Sequence, residues 1–280
     1  MTLLPESARK RSIGAPALSL RINQRQTRVP TWALRSISPI VLLLVWETLI
    51  RTGILNGTVI APPSKIPAAI AELWSDGSLS AALLTSSYRA LGGLLIGTAL
   101  GVVCALIAGL WRSGYHGVDP LARILMPIPA TGLTTLAVLI FGIGEWTKIS
   151  LIAFATFFPV YTNTVHGLRG VDQKLVELAA VAGLRRRGLI GTVLIPSALP
   201  NFFVGLRFSA AVSWLLLVVV EQINARAGLG YLITQAQRYF RVDIIMTALV
   251  FYAILGLLSD VIILGISRVV LPWRKEFTGA

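Results

Sequence analysis

Residues 177–196 read ELAAVAGLRRRGLIGTVLIP, a polar, helix-forming stretch between two strongly apolar segments. The segment before it, residues 151–168, reads LIAFATFFPVYTNTVHGL, and the segment after it, residues 198–220, reads ALPNFFVGLRFSAAVSWLLLVVV. Both apolar segments approach or exceed the roughly 20 residues needed to cross a bilayer. The stretch between them is too polar to enter the membrane with them. It is therefore predicted to lie at the membrane surface, where it can contact a soluble partner.

The composition indicates an integral membrane protein. The chain has 280 residues, of which 55% are hydrophobic and 13% are charged, and its mean hydropathy is +0.77. Soluble domains carry about 25% charged residues. The net charge of +13 would fit a nucleic-acid partner. The apolar content instead favours membrane lipid and cytoplasmic loops as the reason for the positive charge, and no nucleic-acid partner is expected.

Six apolar segments are candidates for membrane-spanning helices. They lie at about 37–55, 83–111, 120–142, 147–168, 198–221 and 244–267. Residues 1–36 are basic and lack the early apolar run of a signal peptide, so they are predicted to be a cytoplasmic tail. The spans define a transmembrane domain at 37–272 that contains the polar loop 169–197, and residues 273–280 form a second cytoplasmic tail.

The basic residues predict the orientation. With six spans, the segments on the side of the two termini hold 17 Lys and Arg residues, and the segments on the other side hold six. Arg89 and Arg207 fall within spans or at their edges and are left out of this count. Positively charged loops stay in the cytoplasm. Both termini and the loop 169–197 are therefore predicted to be cytoplasmic, in a multi-pass protein of the inner membrane.

Several predicted spans carry breaks or small residues. Pro127 and Pro129 open the third span and Pro159 lies inside the fourth, and proline removes a backbone donor and kinks a helix. The second span carries a small-residue stripe, Gly92, Gly93, Gly97 and Gly101. Its GxxxG spacings permit close helix approach, and packing within the chain is favoured over a dimer seam.

The polar stretch divides into a helix and a basic turn. Asp172 is a candidate N-cap, and residues 173–182 carry apolar and small residues at helical spacing. Gly183 can adopt a left-handed conformation and end the helix. Residues 184–187 follow as a basic turn, and an apolar segment then leads to Pro196.

No catalytic constellation stands out in the sequence. It contains neither a phosphate-cradling GxxxxGK[ST] loop nor an HExxH motif. His116 and His166 have no second metal ligand near them in sequence, and the single cysteine, Cys104, excludes an intrachain disulfide and a cysteine-based metal site. The chain is therefore not expected to be an enzyme or to bind a cofactor.

The polar stretch resembles the "EAA" signature of ABC-importer permeases. The residues that carry the resemblance are Glu177, Ala179, Gly183, Val193, Ile195 and Pro196. Matches to the pattern of aliphatic sulfonate permeases extend from about residue 39 to residue 273. They include Phe141-Gly142-Ile143-Gly144-Glu145, Phe158-Pro159, Asn163-Thr164, Val204-Gly205-Leu206-Arg207, Val220-Glu221 and Gly228-Leu229-Gly230-Tyr231-Leu232. The resemblance is specific for the wider group of nitrate, sulfonate, taurine and bicarbonate permeases.

This resemblance implies an all-α, six-span type I ABC importer permease with a cytoplasmic coupling helix. ATPase subunits, which carry ATP and Mg, would dock on the loop. A second copy of the chain would complete the pathway, and a solute-binding protein outside would deliver a small anion, with an aliphatic sulfonate favoured. The residues assigned to docking and coupling are Glu177, Ala179, Ala180, Gly183, Leu184, Arg185 and Pro196.

A departure from the family pattern points to the translocation path. Thr131, Thr134 and Thr135 follow Pro129 where relatives have apolar residues or another proline. Their hydroxyls either bond back to their own helix or line a hydrated path, and the lining is favoured. Asn163 and Glu221 complete the set assigned to the path.

The rival function is a secondary transporter driven by an ion gradient. Such a protein would need buried ionisable residues along its path. The candidates are Glu47, Glu221 and Asp260, all expected near the ends of spans. A membrane-embedded enzyme is a third class, and it lacks paired catalytic residues.

Overall fold

The computed structural model describes residues 31–55 and 59–273, and all regular structure within these ranges is helical. The predicted all-α class is therefore confirmed. The α-helices are α1 (Thr31–Arg51), α2 (Ile66–Ser75), α3 (Ser78–Leu110), α4 (Arg112–Leu125), α5 (Thr134–Phe141), α6 (Glu145–Arg169), α7 (Gln173–Val181), α8 (Arg186–Leu189), α9 (Ile195–Asn224), α10 (Leu229–Arg238) and α11 (Val242–Val270). Short 3₁₀ turns at Pro63–Lys65 and Ala130–Leu133 and a π-helical turn at Ile190–Leu194 complete the set.

Two compact units divide the chain between Leu44 and Val45. α1 begins in the first unit, and α2 to α11 lie in the second. Residues 1–30, which make up most of the predicted N-terminal tail, lie outside the described residues. Residues 274–280 of the predicted C-terminal tail also lie outside them. The predicted domain boundaries stay predictions.

α6 is the central helix of the second unit and packs along its length against α3 and α9. The glycine stripe of α3 makes this contact possible. A Cβ placed on Gly93 would come within 2.5 Å of the Ile152 side chain, and one on Gly97 would come as close to the Ala153 carbonyl oxygen. The predicted role of the stripe in packing within the chain is confirmed.

Three helical runs are long and apolar enough to cross a membrane, namely Ser78–Leu110, Arg186–Ile223 and Val242–Val270. A fourth candidate is a helix pair, Arg112–Leu125 and Ala130–Phe141, that is bent by 89°. The predicted count of six spans is therefore not confirmed. α6 falls outside this set although it is 25 residues long, and polar residues such as Thr162, Asn163 and His166 interrupt its apolar sequence.

The predicted third span at 120–142 is interrupted at its prolines, as the sequence indicated. α4 ends at Leu125, and the chain turns through residues 126–129 before the next helical turn starts at Ala130. Pro127 and Pro129 lie in this break. Proline lacks an N–H and disfavours a helical conformation of the residue before it, so the two prolines end the first helix and redirect the chain.

Local hydrogen bonds set the start of α7 as predicted. The backbone N–H of Lys174 donates to Oδ1 of Asp172 at 2.9 Å, so Asp172 is the N-cap. The cap satisfies one of the donors that a helix start leaves without an intrahelical partner.

The end of α7 also follows the prediction. Gly183 has φ +74°, the left-handed conformation that favours glycine. The N–H of Gly183 donates to Ala180 O and the N–H of Leu184 donates to Ala179 O, both at 3.0 Å. These two bonds are the pattern of a Schellman cap, which closes the helix and fixes the direction of the chain that follows.

The second half of the predicted loop 169–197 is helical and continuous with α9, and the expected start of the fifth span at residue 198 stays a prediction. The helical run extends from Arg186 to Ile223. Pro196 lies in the first turn of α9 and has no N–H to donate, and the preceding residues form the π-helical turn Ile190–Leu194.

Candidate functional site

The surface of α7 exposes an apolar stripe. Leu175, Leu178 and Val181 are spaced three residues apart and are all exposed, Val181 to 86%. Large apolar side chains at this spacing share one side of a helix. An exposed apolar helix face next to polar residues is typical of a surface that a partner covers.

The residues assigned to docking lie on and after this helix. Glu177, Ala180, Gly183, Leu184 and Arg185 are exposed, Ala179 is buried and Pro196 is half-buried. The Glu177 carboxylate accepts a hydrogen bond of 3.1 Å from Gln173, one turn earlier on α7. Most of the assigned residues are thus available to a partner, whereas Ala179 contacts its own chain. The docking role stays a prediction.

A hydrogen bond connects the segment after the cap to α3. The guanidinium of Arg186 donates to the carbonyl oxygen of Leu110, the last residue of α3, at 3.2 Å. Basic side chains pair well with the free carbonyls at a helix C-terminus. This bond joins Arg186, the first residue of α8, to the end of α3.

At the opposite end of α3 lies a buried ionic network. Arg89 and Glu221 are each 1% exposed, and Nη1 of Arg89 donates to Oε1 of Glu221 at 2.6 Å. The same nitrogen donates to the carbonyl oxygen of Ala227 at 2.6 Å. Two buried charges are tolerated only when they are paired and their remaining hydrogen-bonding groups are satisfied.

Glu221 meets this requirement through donors from three further helices. Its Oε2 accepts hydrogen bonds of 2.8 Å from the hydroxyl of Tyr252 on α11 and from the N–H of Gly230 at the start of α10. The hydroxyl of Ser86 lies 2.9 Å from each carboxylate oxygen and accepts from the N–H of Leu229. The carboxylate therefore joins α3, α9, α10 and α11.

Glu145 is the outer member of the network. Its carboxylate accepts two hydrogen bonds from Arg89, at 2.5 Å from Nε and 2.7 Å from Nη2, and forms an ion pair of 3.2 Å with Lys148. The side chain of Glu145 is 46% exposed, whereas that of Lys148 is 6% exposed. Arg89 thus connects an enclosed carboxylate with one that reaches the surface.

The sequence prediction missed most of this network. It assigned Glu221 to the path but omitted Arg89, Ser86 and Tyr252 from the site. A detectable signal was the lone arginine within an apolar segment, because an ionisable residue in a span is expected to have a partner. The structure places Glu221 inside the network, and its assignment to the path stays a prediction.

The remaining path residues lie in two separate places. Thr131, Thr134 and Thr135 are at the bend before α5, and the hydroxyl of Thr134 donates to the carbonyl oxygen of Thr131 at 2.7 Å. This contact is the local back-bonding that competes with a lining role. Asn163 instead lines a cleft of about 740 Å³ between α4 and α6, whose polar lining includes Asp119, Arg123, His166 and Arg169. The threonines do not line that cleft.

Each acid proposed for the rival function is paired with an arginine. Glu47 pairs with Arg51, Glu221 with Arg89, and Asp260 with Arg207. The expectation that all three acids lie near the ends of spans stays a prediction, and Asp260 lies in the interior of α11. Its partner Arg207 lies in the interior of α9, and their two hydrogen bonds measure 2.6 and 2.9 Å.

No group of three His, Cys, Asp or Glu side chains suited to a metal ion occurs within residues 31–55 and 59–273. The features of the site are instead a capped surface helix with an apolar face and a buried charged network at the opposite end of the long helices.

The chain belongs to the family of binding-protein-dependent transport system inner membrane components, whose family model matches residues 97–276. It is thus the permease subunit of an ABC importer and a multi-pass inner-membrane protein, and ATP hydrolysis belongs to a separate subunit.

Curated relatives extend this similarity over most of the chain. The putative aliphatic sulfonates transport permease protein SsuC of Bacillus subtilis is 35% identical over 248 residues, which cover 89% of this chain and 90% of that protein. The protein of the same name from Escherichia coli is 38% identical, with 90% and 97% covered. The taurine transport system permease protein TauC of Escherichia coli is 29% identical, with 84% and 88% covered. The predicted permease group is confirmed.

A solved structure supports the fold. A chain of the inward-facing MetNI methionine ABC transporter matches with a TM-score of 0.52 and 21% sequence identity. The match covers 69% of this chain and 94% of the other. The predicted type I permease fold is confirmed by this likeness together with the family.

Proposed function

We propose that this permease imports a small anion, with an aliphatic sulfonate as the favoured substrate and taurine, nitrate or bicarbonate as alternatives. The observation that carries the proposal is the similarity to two aliphatic sulfonate permeases over about nine-tenths of the chain. ATP and Mg bind to the ATPase subunits, and this chain transmits the conformational change. A solute-binding protein delivers the anion at the end opposite α7.

The ATPase subunits dock on α7 and the turn that follows it. Support comes from the exposed stripe of Leu175, Leu178 and Val181, which no other part of the described chain covers. The Schellman cap at Gly183 holds the basic residues Arg185 and Arg186 at a fixed angle to this stripe. A docked subunit that moves α7 would also pull on α3 through the bond from Arg186 to Leu110.

Two copies of the chain form the pathway, surrounded by membrane lipid. The pair Arg207–Asp260 supports a second copy, because its side chains are 43% and 40% exposed in the interior of two long apolar helices. Charged groups are costly against lipid and normally face protein or a water-filled cavity. In this arrangement both termini and α7 are cytoplasmic, and Thr131, Thr134, Thr135, Asn163 and Glu221 belong to the path.

Reconstitution tests the function. The chain is purified with the ATPase and solute-binding subunits encoded beside it and placed in proteoliposomes, and the uptake of ethanesulfonate, taurine, nitrate and bicarbonate is measured. We expect ATP-dependent uptake of ethanesulfonate that disappears when either partner is omitted. Uptake driven by an ion gradient without the ATPase would overturn the proposal in favour of a secondary transporter.

A further inference from the structure

A small cleft at the end opposite α7 is lined by an unusual number of positive charges. It measures about 250 Å³ and lies between the start of α6 and the connection from α9 to α10. Its lining includes the cations Arg89, Lys148 and Arg226 and the carboxylate of Glu145. Three cations against one acid give the cleft a net positive lining, and Arg89 also faces the enclosed Glu221 behind it.

The cations of the cleft differ in how fully they are paired. Arg89 and Lys148 are 1% and 5% exposed, so their charges are held in place by the fold. Lys148 forms its ion pair with Glu145. Arg226 is exposed and makes no ion pair with any residue in the described ranges. The cleft therefore has positive charge in excess of what its own acid neutralises.

Glu145 occupies the position that an incoming anion would need. Its two oxygens lie on Nε and Nη2 of Arg89, the two-pronged arrangement in which a guanidinium binds an oxyanion. Glu221 is enclosed by four donor groups, whereas Glu145 is about half exposed and can turn into solvent. Of the two carboxylates on Arg89, Glu145 is therefore the one that can be exchanged.

We propose that this cleft is the outer reception site for the anionic head group of the substrate. Sulfonate oxygens take the place of the Glu145 carboxylate on Arg89, and Lys148 and Arg226 supply the remaining positive contacts. Glu221 stays in place and keeps the guanidinium oriented. The volume of about 250 Å³ suits a head group with a short chain. This inference rests on the proposed import of an anion.

Equilibrium binding tests the site. The full chain is assembled with its ATPase subunits in nanodiscs, without the solute-binding protein, and titrated with ethanesulfonate. Glu145→Gln removes the competing charge while keeping a side chain of the same size, so we expect binding that is several-fold tighter. Lys148→Gln and Arg226→Gln each remove a cation, and we expect binding that is about tenfold weaker.

Arg238→Gln is the matched control, since Arg238 is an exposed arginine at the end of α10 and is outside the cleft. It should leave ethanesulfonate binding unchanged. Thermal unfolding of each variant shows whether it is folded. The site is overturned if folded Glu145→Gln binds no more tightly than the wild type, or if Lys148→Gln and Arg226→Gln both bind as the wild type does. Absence of binding in both the wild type and Glu145→Gln also overturns it.

The same preparations separate this inference from the proposed function. If the wild-type complex imports none of the four anions with ATP, the proposed function fails. If it imports ethanesulfonate but the cleft variants retain wild-type affinity, only the reception site fails.

Discussion

Arg89 and Glu221 are 132 residues apart in sequence and form a buried ion pair of 2.6 Å. The pair lies where α3, α9, α10 and α11 meet, and Tyr252 adds a hydrogen bond from the last of these helices. Removal of one partner from an ion pair enclosed in this way destabilises the fold. The remaining charge stays buried, and no water is present to take the place of the lost partner.

Removing the charge of Glu221 is therefore expected to destabilise the fold. Glu221→Gln should lower the free energy of unfolding by about 3–5 kcal/mol, and Tyr252→Phe should lower it by about 1.5–3 kcal/mol. Arg51→Gln is the control, because it breaks an exposed pair with Glu47 and should cost no more than about 1 kcal/mol. Unfolding in detergent micelles measures all three. Equal stability of Glu221→Gln and Arg51→Gln would contradict the structural role of the network.

Alanine at Gly183 should weaken docking of the ATPase subunit. A non-glycine residue in the left-handed conformation costs about 1–2 kcal/mol, which corresponds to about a 5- to 30-fold loss of affinity if docking needs the cap intact. Gly191→Ala is the matched control, since Gly191 is also open to solvent and has no positive φ. Binding of the ATPase subunit to permease in nanodiscs gives the measurement. An equal loss of affinity in both variants would show that docking of the ATPase subunit does not depend on the cap.

A second variant tests whether the charge of Glu177 on α7 contributes to docking of the ATPase subunit. Glu177 is exposed and has no ion pair among residues that the structure describes, so Glu177→Lys should leave the fold intact. We expect it to reduce ATPase association and transport, because it reverses the charge beside the apolar stripe. Normal ATP-dependent uptake by the variant would exclude Glu177 from the docking surface. As the control, membrane fractionation measures whether the Glu177→Lys variant is inserted into the membrane.

The orientation can be read from single cysteines in a Cys104→Ala background. Arg186 and Ser75 are both exposed and lie on opposite sides of α3 in the sequence. Arg186→Cys should react with a membrane-impermeant thiol reagent only in inside-out vesicles, and Ser75→Cys should react in right-side-out cells. The reverse pattern of labelling would invert the predicted orientation.

A pH-dependent contribution to stability is expected at the end of α2. Two hydrogen bonds from Arg241, at 3.0 and 2.7 Å, lower the pKa of the Glu72 carboxyl below its usual 4.5. A depressed pKa means that the contact contributes stability above pH 4.5 and loses it as the pH falls through the lower, folded-state pKa. Glu72→Gln should therefore lower the melting temperature slightly at pH 7, with a gap to wild type that closes as the pH falls below 4.5. A gap that widens on acidification would contradict this assignment.

The structural features that could be predicted from the sequence are those that depend on residues close together along the chain. The cap at Asp172, the end of α7 at Gly183 and the packing of the α3 glycines each depend on a short pattern whose physical effect is local. The bend at Pro127 and Pro129 was visible as a break, but its angle of 89° depends on what the two halves pack against. The network around Arg89 was not predicted, because Arg89 is 56 positions from Glu145 and 132 positions from Glu221 in the sequence.

The count of membrane spans shows a second limit of prediction from sequence, which concerns hydropathy. Apolar length alone places α6 with the other long helices, yet its ends carry Glu145, Lys148 and Arg169. Two of these charges belong to the network, so the polar composition of α6 is explained only by the fold. Hydropathy alone therefore omits α6 from the candidate spans, although α6 is the helix that packs most extensively against its neighbours.

The close approach of α3 and α6 has a mechanical consequence. Gly93 and Gly97 let α3 approach α6 so closely that a Cβ on Gly93 would lie 2.5 Å from the Ile152 side chain and one on Gly97 would lie 2.5 Å from the Ala153 carbonyl oxygen. We therefore expect the two helices to shift together, so that a displacement applied at Arg186, beside the end of α3, is passed on along this helix towards Arg89.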